Sequence, residues 1–216
     1  MSKQKVTKQM DFWGGDSGVA YVDRNPMSIK EADDLYVRDY GVARREFYER
    51  YFGDLNRDLR ILEVGANIGC PLELLRTLGF KNLYGIELNP NTVERAKKLH
   101  PKVDIIRGSA FDLPFKDESF DLVYTSGVLN HINPKDLPEV LDEIYRVTNR
   151  YIWCDEYAAR ELVEITYRGE QELFWKLDFL KLYTSRFPKL KVVKSEEIPV
   201  LNSKNFTQMF LLEKTS

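Results

Sequence analysis

Two carboxylates and a glycine turn are the residues of this sequence whose types and spacing best suit ligand binding. Glu63 lies in the apolar run that begins at Ile61, and Gly65 and Gly69 follow it in a short turn. Glu87 comes about 20 residues after that turn, at the end of the next apolar run, where an acidic side chain can accept hydrogen bonds from a ribose diol. Glycines in the turn let the backbone approach a ligand closely.

The same stretch argues against a bound pyrophosphate. The dinucleotide pattern G-x-G-x-x-G is absent, and carboxylates at Glu63 and Glu87 would repel phosphate groups. An adenosine without phosphates that carries a cationic amino-acid tail fits both acids better. Glu87 would then hold the ribose, and Glu63 would take up the ammonium group or anchor the loop. S-adenosylmethionine has this composition.

A parallel sheet would bring these residues to one edge. From Arg60 onward, short apolar runs alternate with amphipathic segments, which predicts a doubly wound α/β fold with helices on both faces. Asn89 before Pro90 and Asn133 before Pro134 predict two helix starts. After a helical stretch near 169–185, the apolar segments 190–197 and 205–214 follow without a clear helix between them. These two segments predict antiparallel strands at one edge of the sheet.

The segment before the sheet has its own signals. Ser28 and Glu31 form a capping-box pair, which predicts one or two helices before the core. Residues 11–25 are rich in glycine and aromatic side chains, a composition typical of a mobile flap. We expect one globular domain in two parts: residues 1–58 as a flap and helices that cap the cofactor site, and residues 59–216 as the core.

Composition excludes several function classes. The chain of 216 residues has a formal net charge of -2, which supplies no field for gathering nucleic acid, so no nucleic-acid partner is expected. Neither a signal peptide nor a run of roughly 20 apolar residues is present, which predicts a cytoplasmic protein without a membrane partner. Cys70 and Cys154 lie in apolar runs, as reduced buried thiols do. No His or Cys cluster has metal-ligand spacing, so no metal is expected; the oligomeric state stays open.

Four segments carry a family resemblance. In chain order, LEVGANIG, YGIELN, GSAFDLPF and FDLVYTSGVLNHI resemble the motifs of class I S-adenosylmethionine-dependent methyltransferases, over roughly Arg60 to Asp155. The resemblance implies a Rossmann-like, seven-stranded sheet whose last strand is antiparallel, with S-adenosylhomocysteine as the product of the cofactor. More narrowly, DFWGGDSGVAYVDRN, EVGANIG, GVLNHINP and VEITYRG are similar to methylases associated with pseudaminic acid biosynthesis. That similarity implies a nonulosonic acid, its nucleotide-activated form or a related surface sugar as acceptor.

The cofactor set follows from these motifs. Ser109 stands where the superfamily often has an aspartate for the adenine amino group, so adenine would depend more on the backbone of Ala110 and on packing by Phe111 and Leu88. Phe111 could equally be core. We expect the turn and the strand ends to bind the cofactor through Glu63, Gly65, Ala66, Asn67, Gly69, Glu87, Leu88, Ser109, Ala110, Phe111, Ser126 and Gly127.

A base and a lid are also expected. His131 lies five residues beyond Ser126 and is a candidate general base, although a histidine here could instead orient a loop. The other histidine, His100, is expected to cap a helix end. Trp13, Tyr21 and Arg24 are candidates for a lid that excludes water. Arg24 would pair with the cofactor carboxylate, or lie at the surface beside an aspartate.

The acceptor residues are expected after the fifth strand and in the segment before the last strands. They are Glu156, Tyr157, Tyr167 and Arg168. An arginine suits a carboxylate or phosphate, and therefore an anionic sugar, although Arg168 could instead pair with Glu164 or Glu170.

The leading hypothesis is methyl transfer from S-adenosylmethionine to an oxygen or nitrogen of a small, anionic, sugar-like or amino-acid-like molecule. Three alternatives remain open. They are methylation of a protein or RNA, a nicotinamide oxidoreductase on the same fold, and a cofactor-binding module without catalysis.

Overall fold

The computed structural model describes residues 5–25 and 28–215. Its strands are β1 (Arg60–Val64), β2 (Asn82–Glu87), β3 (Asp104–Arg107), β4 (Phe120–Ser126), β5 (Thr148–Ala158), β6 (Val163–Glu164), β7 (Trp175–Lys176), β8 (Leu190–Pro199) and β9 (Phe206–Lys214). Its helices are α1 (Lys8–Gly14), α2 (Asp16–Arg24), α3 (Ile29–Tyr40), α4 (Arg44–Phe52), α5 (Cys70–Thr77), α6 (Pro90–Leu99), α7 (Leu137–Val147) and α8 (Phe179–Arg186).

A seven-stranded sheet forms the centre, in the order β3-β2-β1-β4-β5-β9-β8. Strands β1 to β5 pair in parallel, whereas β9 is antiparallel to both β5 and β8. The predicted doubly wound sheet with an antiparallel last strand is therefore confirmed. The order reverses between β1 and β4, and this switch point opens a crevice at the carboxyl ends of the strands.

Side chains on the two faces of the sheet pack against different helices. Ile61 and Leu62 are adjacent in β1 and completely buried on opposite faces, as the two-residue period of a strand requires. Aromatic residues of α4, among them Tyr48 and Phe52, pack on the first face around Trp153. Helices α7 and α8 cover the second face. Burial on both faces explains why the central strands read as nearly continuous apolar runs.

The two predicted helix starts have different outcomes. Asn89 caps α6, because its Oδ1 accepts hydrogen bonds from the N–H groups of Asn91 and Thr92. The prediction at Asn133 is wrong by three residues, since α7 begins at Leu137. The Oδ1 of Asn133 accepts instead from the N–H of Lys135, and its carbonyl accepts from the N–H of Asp136. The oxygen atoms of Asn133 are therefore taken up by a turn, and the helix begins only after it.

The segment that Ser28 opens holds two helices, α3 and α4, which agrees with the one or two expected, and α1 and α2 precede them among the described residues. The capping box of Ser28 and Glu31 opens α3 as predicted, and Gly41, at φ +79°, ends it in the left-handed conformation. The segment 11–25, expected as a mobile flap, forms the end of α1 and α2, with Val22 buried. Both cysteines are free and buried, as predicted.

The helix expected near 169–185 is shorter than its pattern suggested. Only residues from Phe179 to Arg186 are helical. Before them, β6 and β7 form a small antiparallel pair around a turn in which Arg168 and Gly169 have φ angles of +53° and +87°. Left-handed residues in succession cannot continue a right-handed helix. None of the helices within the described ranges is long and apolar enough to cross a membrane.

Candidate cofactor and acceptor site

A cavity of about 360 Å³ lies at the carboxyl ends of β1, β2, β4 and β5, under helices α1 to α4. This volume falls in the range of small-molecule sites. Most of the residues predicted for the site line it: Trp13, Tyr21, Glu63, Gly65, Ala66, Asn67, Glu87, Leu88, Ser109, Ala110, Phe111, Ser126, Gly127, His131 and Tyr157.

The turn after β1 is left-handed at Gly65, Asn67 and Gly69, with φ angles of +76°, +50° and +82°. A Cβ at Gly65 would lie 2.5 Å from Cγ2 of Val128, so any other residue would push this loop off the strand end. Gly69 does not line the cavity. It is the N-cap of α5, and a Cβ there would lie 2.5 Å from Cδ1 of Ile105, so its place is structural.

Glu87 is held by the backbone on both sides. Its Oε2 accepts from the N–H of Asn67 at 2.9 Å, and its Oε1 accepts from the N–H of Asn89 at 2.8 Å. A carboxylate has about four acceptor positions, so each oxygen can still accept one more hydrogen bond from the cavity. Burial raises the pKa of Glu87 against the lowering effect of these N–H donors. This geometry suits a ribose diol.

Four buried polar atoms around the cavity have no hydrogen-bond partner within the described part of the chain. They are Trp13 Nε1, Arg44 Nε, Glu63 Oε2 and Asn67 Oδ1. An unsatisfied buried polar group costs about 1–3 kcal/mol. The residues that carry these atoms line one cavity, which fits a polar ligand that would supply the missing partners.

Arg44 is a site residue that the sequence reasoning missed. Its guanidinium lies 5.0 Å from the ring centre of Tyr36 and 5.4 Å from that of Tyr48, and its Nη2 donates to Ser126 Oγ at 3.0 Å. The sequence does contain a signal for Arg44. Phe47 and Tyr48 lie three and four residues after it in α4 and are buried, which places Arg44 on the buried face of the helix. Burial also raises the pKa of nearby Glu63 to about 8, while Arg44 opposes that rise.

On the adenine side, Ser109 takes part in the loop itself. Its Oγ accepts a hydrogen bond from the N–H of Phe111 at 3.2 Å. Leu88, Ala110 and Phe111 line this end of the cavity with apolar surface. The hydroxyl of Ser109 is therefore a loop contact as well as a candidate for the adenine amino group.

His131 ends the short 3₁₀ helix Leu129–His131 that follows β4. Its Nδ1 lies 2.8 Å from the carbonyl oxygen of Leu173, and since a carbonyl only accepts, Nδ1 carries the proton and Nε2 keeps its lone pair. Burial lowers the pKa of His131 to about 4, so the ring is neutral at pH 7. The ring centres of Trp13 and Phe174 lie 4.5 and 5.0 Å away.

Successive residues of β5 point to opposite sides. Asp155 and Tyr157 line the cavity. Glu156 between them is completely buried on the other side, where it accepts hydrogen bonds from the N–H groups of Val128 and Asn130. Glu156, predicted to bind the acceptor, therefore supports the loop that carries His131, because a strand turns every second side chain away.

Three other predicted residues lie outside the cavity lining. Arg24, in the last turn of α2, is exposed. Arg168 is exposed in the turn between β6 and β7. Tyr167 stands behind the lining, with its ring centre 5.8 Å from that of Trp13 and 5.2 Å from that of His131.

Residues of helices α1 and α2 line one side of the cavity. Asn89 donates from Nδ2 to the carbonyl oxygens of Trp13 and Gly15, at 3.1 and 2.9 Å, and so holds the junction of the two helices next to Glu87. On the other side, Gln9 Nε2 donates to the carbonyl oxygen of Glu172 at 2.7 Å. Tyr21 of α2 lines the cavity, and burial raises its pKa to about 12.

Comparison with known proteins relates part of this chain to a family. Residues 62–151 match the family described as a methyltransferase domain. The match covers 90 of the 216 residues and relates this segment of the chain to methyltransferase domains.

Two curated relatives of the domain act on lipids by name. A probable phthiotriol/phenolphthiotriol dimycocerosates methyltransferase 2 from Mycobacterium ulcerans is 38% identical over 111 residues, and a sterol 24-C-methyltransferase from Aspergillus fumigatus is 30% identical over 112 residues. Each match covers 49% of this chain, but only 42% and 29% of the respective relative. The chain thus matches less than half the length of these relatives.

Solved structures share the fold over nearly the whole chain. The PH0226 protein from Pyrococcus horikoshii aligns with a TM-score of 0.69 at 13% identity, covering 93% of this chain and 99% of that one. The 1,6-didemethyltoxoflavin-N1-methyltransferase from Burkholderia thailandensis, solved with S-adenosylhomocysteine, aligns with a TM-score of 0.67 at 13% identity, covering 100% of this chain and 94% of that one.

The residues around the cavity fit S-adenosylmethionine. Glu87 suits the ribose, Glu63 Oε2 can accept from the ammonium group, and the free Nε of Arg44 can donate to the carboxylate. The apolar surface of Leu88 and Phe111 suits an adenine ring. When bound, the cofactor supplies an activated methyl group on a sulfonium.

Proposed function

We propose that this protein transfers a methyl group from S-adenosylmethionine to an oxygen or nitrogen of a small molecule bound in the same cavity. One observation carries the proposal. The cavity continues past the cofactor residues at β1 and β2 to the ends of β4 and β5, where Ser126, Asp155 and Tyr157 line it. This second half gives an acceptor a place beside the end of the cofactor tail.

The chain contributes mainly alignment and exclusion of water. Methyl transfer to a good nucleophile needs in-line geometry, and positioning of this kind can supply about 7–11 kcal/mol of a barrier. The lid formed by α1 and α2, fixed by Asn89, keeps the reacting atoms out of bulk water. His131, whose Nε2 lone pair is not used by its own contacts, remains a candidate base.

The acceptor predicted from the sequence is a small anionic sugar of the nonulosonic acid pathway. Tyr36, Tyr40 and Tyr157 line this half of the cavity, and their rings offer aromatic surface for a sugar-like ring. The negative charge of the predicted acceptor has less support from the residues that line the cavity. Arg44 is the single lysine or arginine that lines the cavity within residues 5–25 and 28–215, and Arg168 is exposed outside it.

Calorimetry tests the cofactor half of the proposal. S-adenosylhomocysteine should bind the wild type, and NAD should not. Glu87→Gln should lower the affinity for S-adenosylhomocysteine at least tenfold, because one amide oxygen replaces two carboxylate oxygens. Glu94→Gln, on the exposed side of α6, is the matched control and should bind like the wild type. Equal affinity in both variants, with circular dichroism showing intact folds, would contradict the ribose assignment.

Mass spectrometry tests the acceptor half. Nucleotide sugars, free sugar acids and small-molecule extracts are incubated with the protein and methyl-labelled S-adenosylmethionine. A labelled sugar acid would support the predicted pathway. Labelled products of other classes only would remove the sugar acid from the proposal and leave methyl transfer in place.

A further inference from the structure

Asp155 is a buried carboxylate that the cofactor assignment does not use. It is 5% exposed at the end of β5 and lines the cavity. Its Oδ2 accepts from Tyr36 Oη at 2.8 Å and from Ser126 Oγ at 3.1 Å. Helix α3 and strand β4 therefore both fix this side chain in one orientation.

The other carboxylate oxygen has no partner among the described residues. Oδ1 of Asp155 makes no hydrogen bond to any described residue, and it is not among the completely buried side-chain atoms that lack a partner. A fixed carboxylate with one committed oxygen and one free oxygen in a cavity can accept a hydrogen bond from a ligand. Such a ligand must carry an N–H or an O–H group.

The walls around Asp155 select between these two kinds of donor. Tyr36, Tyr40 and Tyr157 line the same half of the cavity, and the ring centres of Tyr36 and Tyr40 lie 5.1 Å apart. Aromatic faces attract a cation, and the attraction is strongest where water is excluded. Arg44 is the one lysine or arginine of the described lining; its guanidinium lies over Tyr36, and in the proposed assignment it pairs with the carboxylate of the cofactor tail.

From this arrangement, and resting on the proposed methyl transfer, we infer that the acceptor is an amine, held by its N–H group on Oδ1 of Asp155 among the three tyrosines. Asp155 also removes the proton that the reaction releases. An ammonium ion gives one proton to Oδ1, which leaves the nitrogen with a lone pair. That lone pair forms the bond to the methyl carbon, while the carbon–sulfur bond breaks and its electrons stay on sulfur. The proton on Asp155 then passes to solvent.

His131 is the competing base. Its ring is packed against Trp13 and Phe174, and its Nδ1 is bound to a carbonyl. Asp155 differs because two hydroxyl donors from neighbouring elements hold it and its Oδ1 has no partner among the described residues. A comparison of Asp155→Asn with His131→Asn separates the two. Asparagine keeps an oxygen that can accept from Tyr36 and Ser126, but it does not take up a proton.

The test starts with methyl-labelled S-adenosylmethionine and a small-molecule extract of cells. Products are separated on a cation exchanger at pH 7 and identified by mass spectrometry. We expect the labelled product to be retained as an amine. With that acceptor, Asp155→Asn should lower turnover at least 100-fold, a size typical of general-base loss, and keep the affinity for S-adenosylhomocysteine within threefold. Asp142 forms an ion pair with Arg186 at the surface, and Asp142→Asn should change neither the turnover nor the affinity for S-adenosylhomocysteine.

Each other outcome overturns the inference. Labelled products that are only neutral or anionic would refute the amine acceptor and leave methyl transfer standing. Wild-type turnover in Asp155→Asn with a large loss in His131→Asn would move the base to His131. Absence of any labelled product, from protein that binds S-adenosylhomocysteine, would remove the proposed transferase activity together with this inference.

Discussion

The guanidinium of Arg44 donates from Nη2 to the hydroxyl oxygen of Ser126 across 3.0 Å, which joins the start of α4 to the end of β4 inside the cavity. The rings of Tyr36 and Tyr48 lie beside this guanidinium, and its Nε has no hydrogen-bond partner within the described chain. A positive charge is thus fixed where a ligand carboxylate can reach it.

Arg44→Lys should weaken S-adenosylhomocysteine binding at least tenfold, because an ammonium does not reproduce the flat fork of donors that suits a carboxylate. Methylthioadenosine, which lacks the amino-acid tail, should bind the variant and the wild type alike in calorimetry. Arg45→Lys is the control, since Arg45 lies outside the cavity lining near Asp33. An equal loss for both ligands would show that Arg44 shapes the pocket rather than binding the tail.

Binding of S-adenosylhomocysteine should strengthen as pH rises and level off near pH 8. Burial raises the pKa of Glu63 to about 8, so the ligand-free carboxyl is protonated at lower pH and must lose its proton to pair with an ammonium. Loss of one proton on binding corresponds to a tenfold change in the binding constant per pH unit. Titrations in buffers of different ionisation enthalpy should show that proton release. Glu63→Gln should bind more weakly and lose this part of the pH dependence; a wild-type profile in the variant would exclude Glu63.

His131 should make the fold less stable in acid. Burial lowers its pKa to about 4, below the unfolded value near 6.5, so the unfolded chain binds the extra proton between these values. The contribution of the neutral His131 ring to the free energy of unfolding is complete above pH 6.5 and is lost as the pH falls through 4. Denaturant unfolding should give His131→Asn a slope about 1.4 kcal/mol per pH unit smaller than that of the wild type in this window. Parallel slopes would mean that His131 is not buried as a neutral ring.

Two glycines test whether Gly127 borders the ligand. Gly127 and Gly169 have φ angles of +66° and +87°, and a Cβ at either would meet no atom within 4 Å. Only Gly127 lines the cavity. Gly127→Ala and Gly169→Ala should both lower the free energy of unfolding by about 1 kcal/mol through backbone strain. Calorimetry should show weaker S-adenosylhomocysteine binding in Gly127→Ala alone; equal affinities would place the ligand away from this loop.

The sequence predicts the core of this fold well for a physical reason. Parallel strands buried on both faces must be short apolar runs, and glycine, asparagine and proline mark the turns between them. The residue pattern alone therefore places Glu63 and Glu87 correctly at strand ends. The start of α7 is missed because an asparagine before a proline can form a turn as readily as a helix cap, and its hydrogen bonds show that Asn133 makes the turn.

The acceptor side is harder to predict, because it is assembled from residues far apart in the chain. Asp155 meets Tyr36 across 119 positions, and Arg44 meets Ser126 across 82. No local pattern indicates such pairs. Arg168 and Arg24 are arginines near apolar or aromatic residues, but a turn and a helix end expose them, whereas the helical position of Arg44 buries its charge.

One amide ties the entrance of the cavity to its floor. The oxygen of Asn89 caps α6, its nitrogen holds the junction of α1 and α2, and its own backbone N–H binds Glu87. In the proposed assignment, a cofactor that enters or leaves would displace the same residue that orients the carboxylate assigned to the ribose. Opening of the cavity and release of the ribose would then be coupled, which predicts that departure of S-adenosylhomocysteine limits turnover.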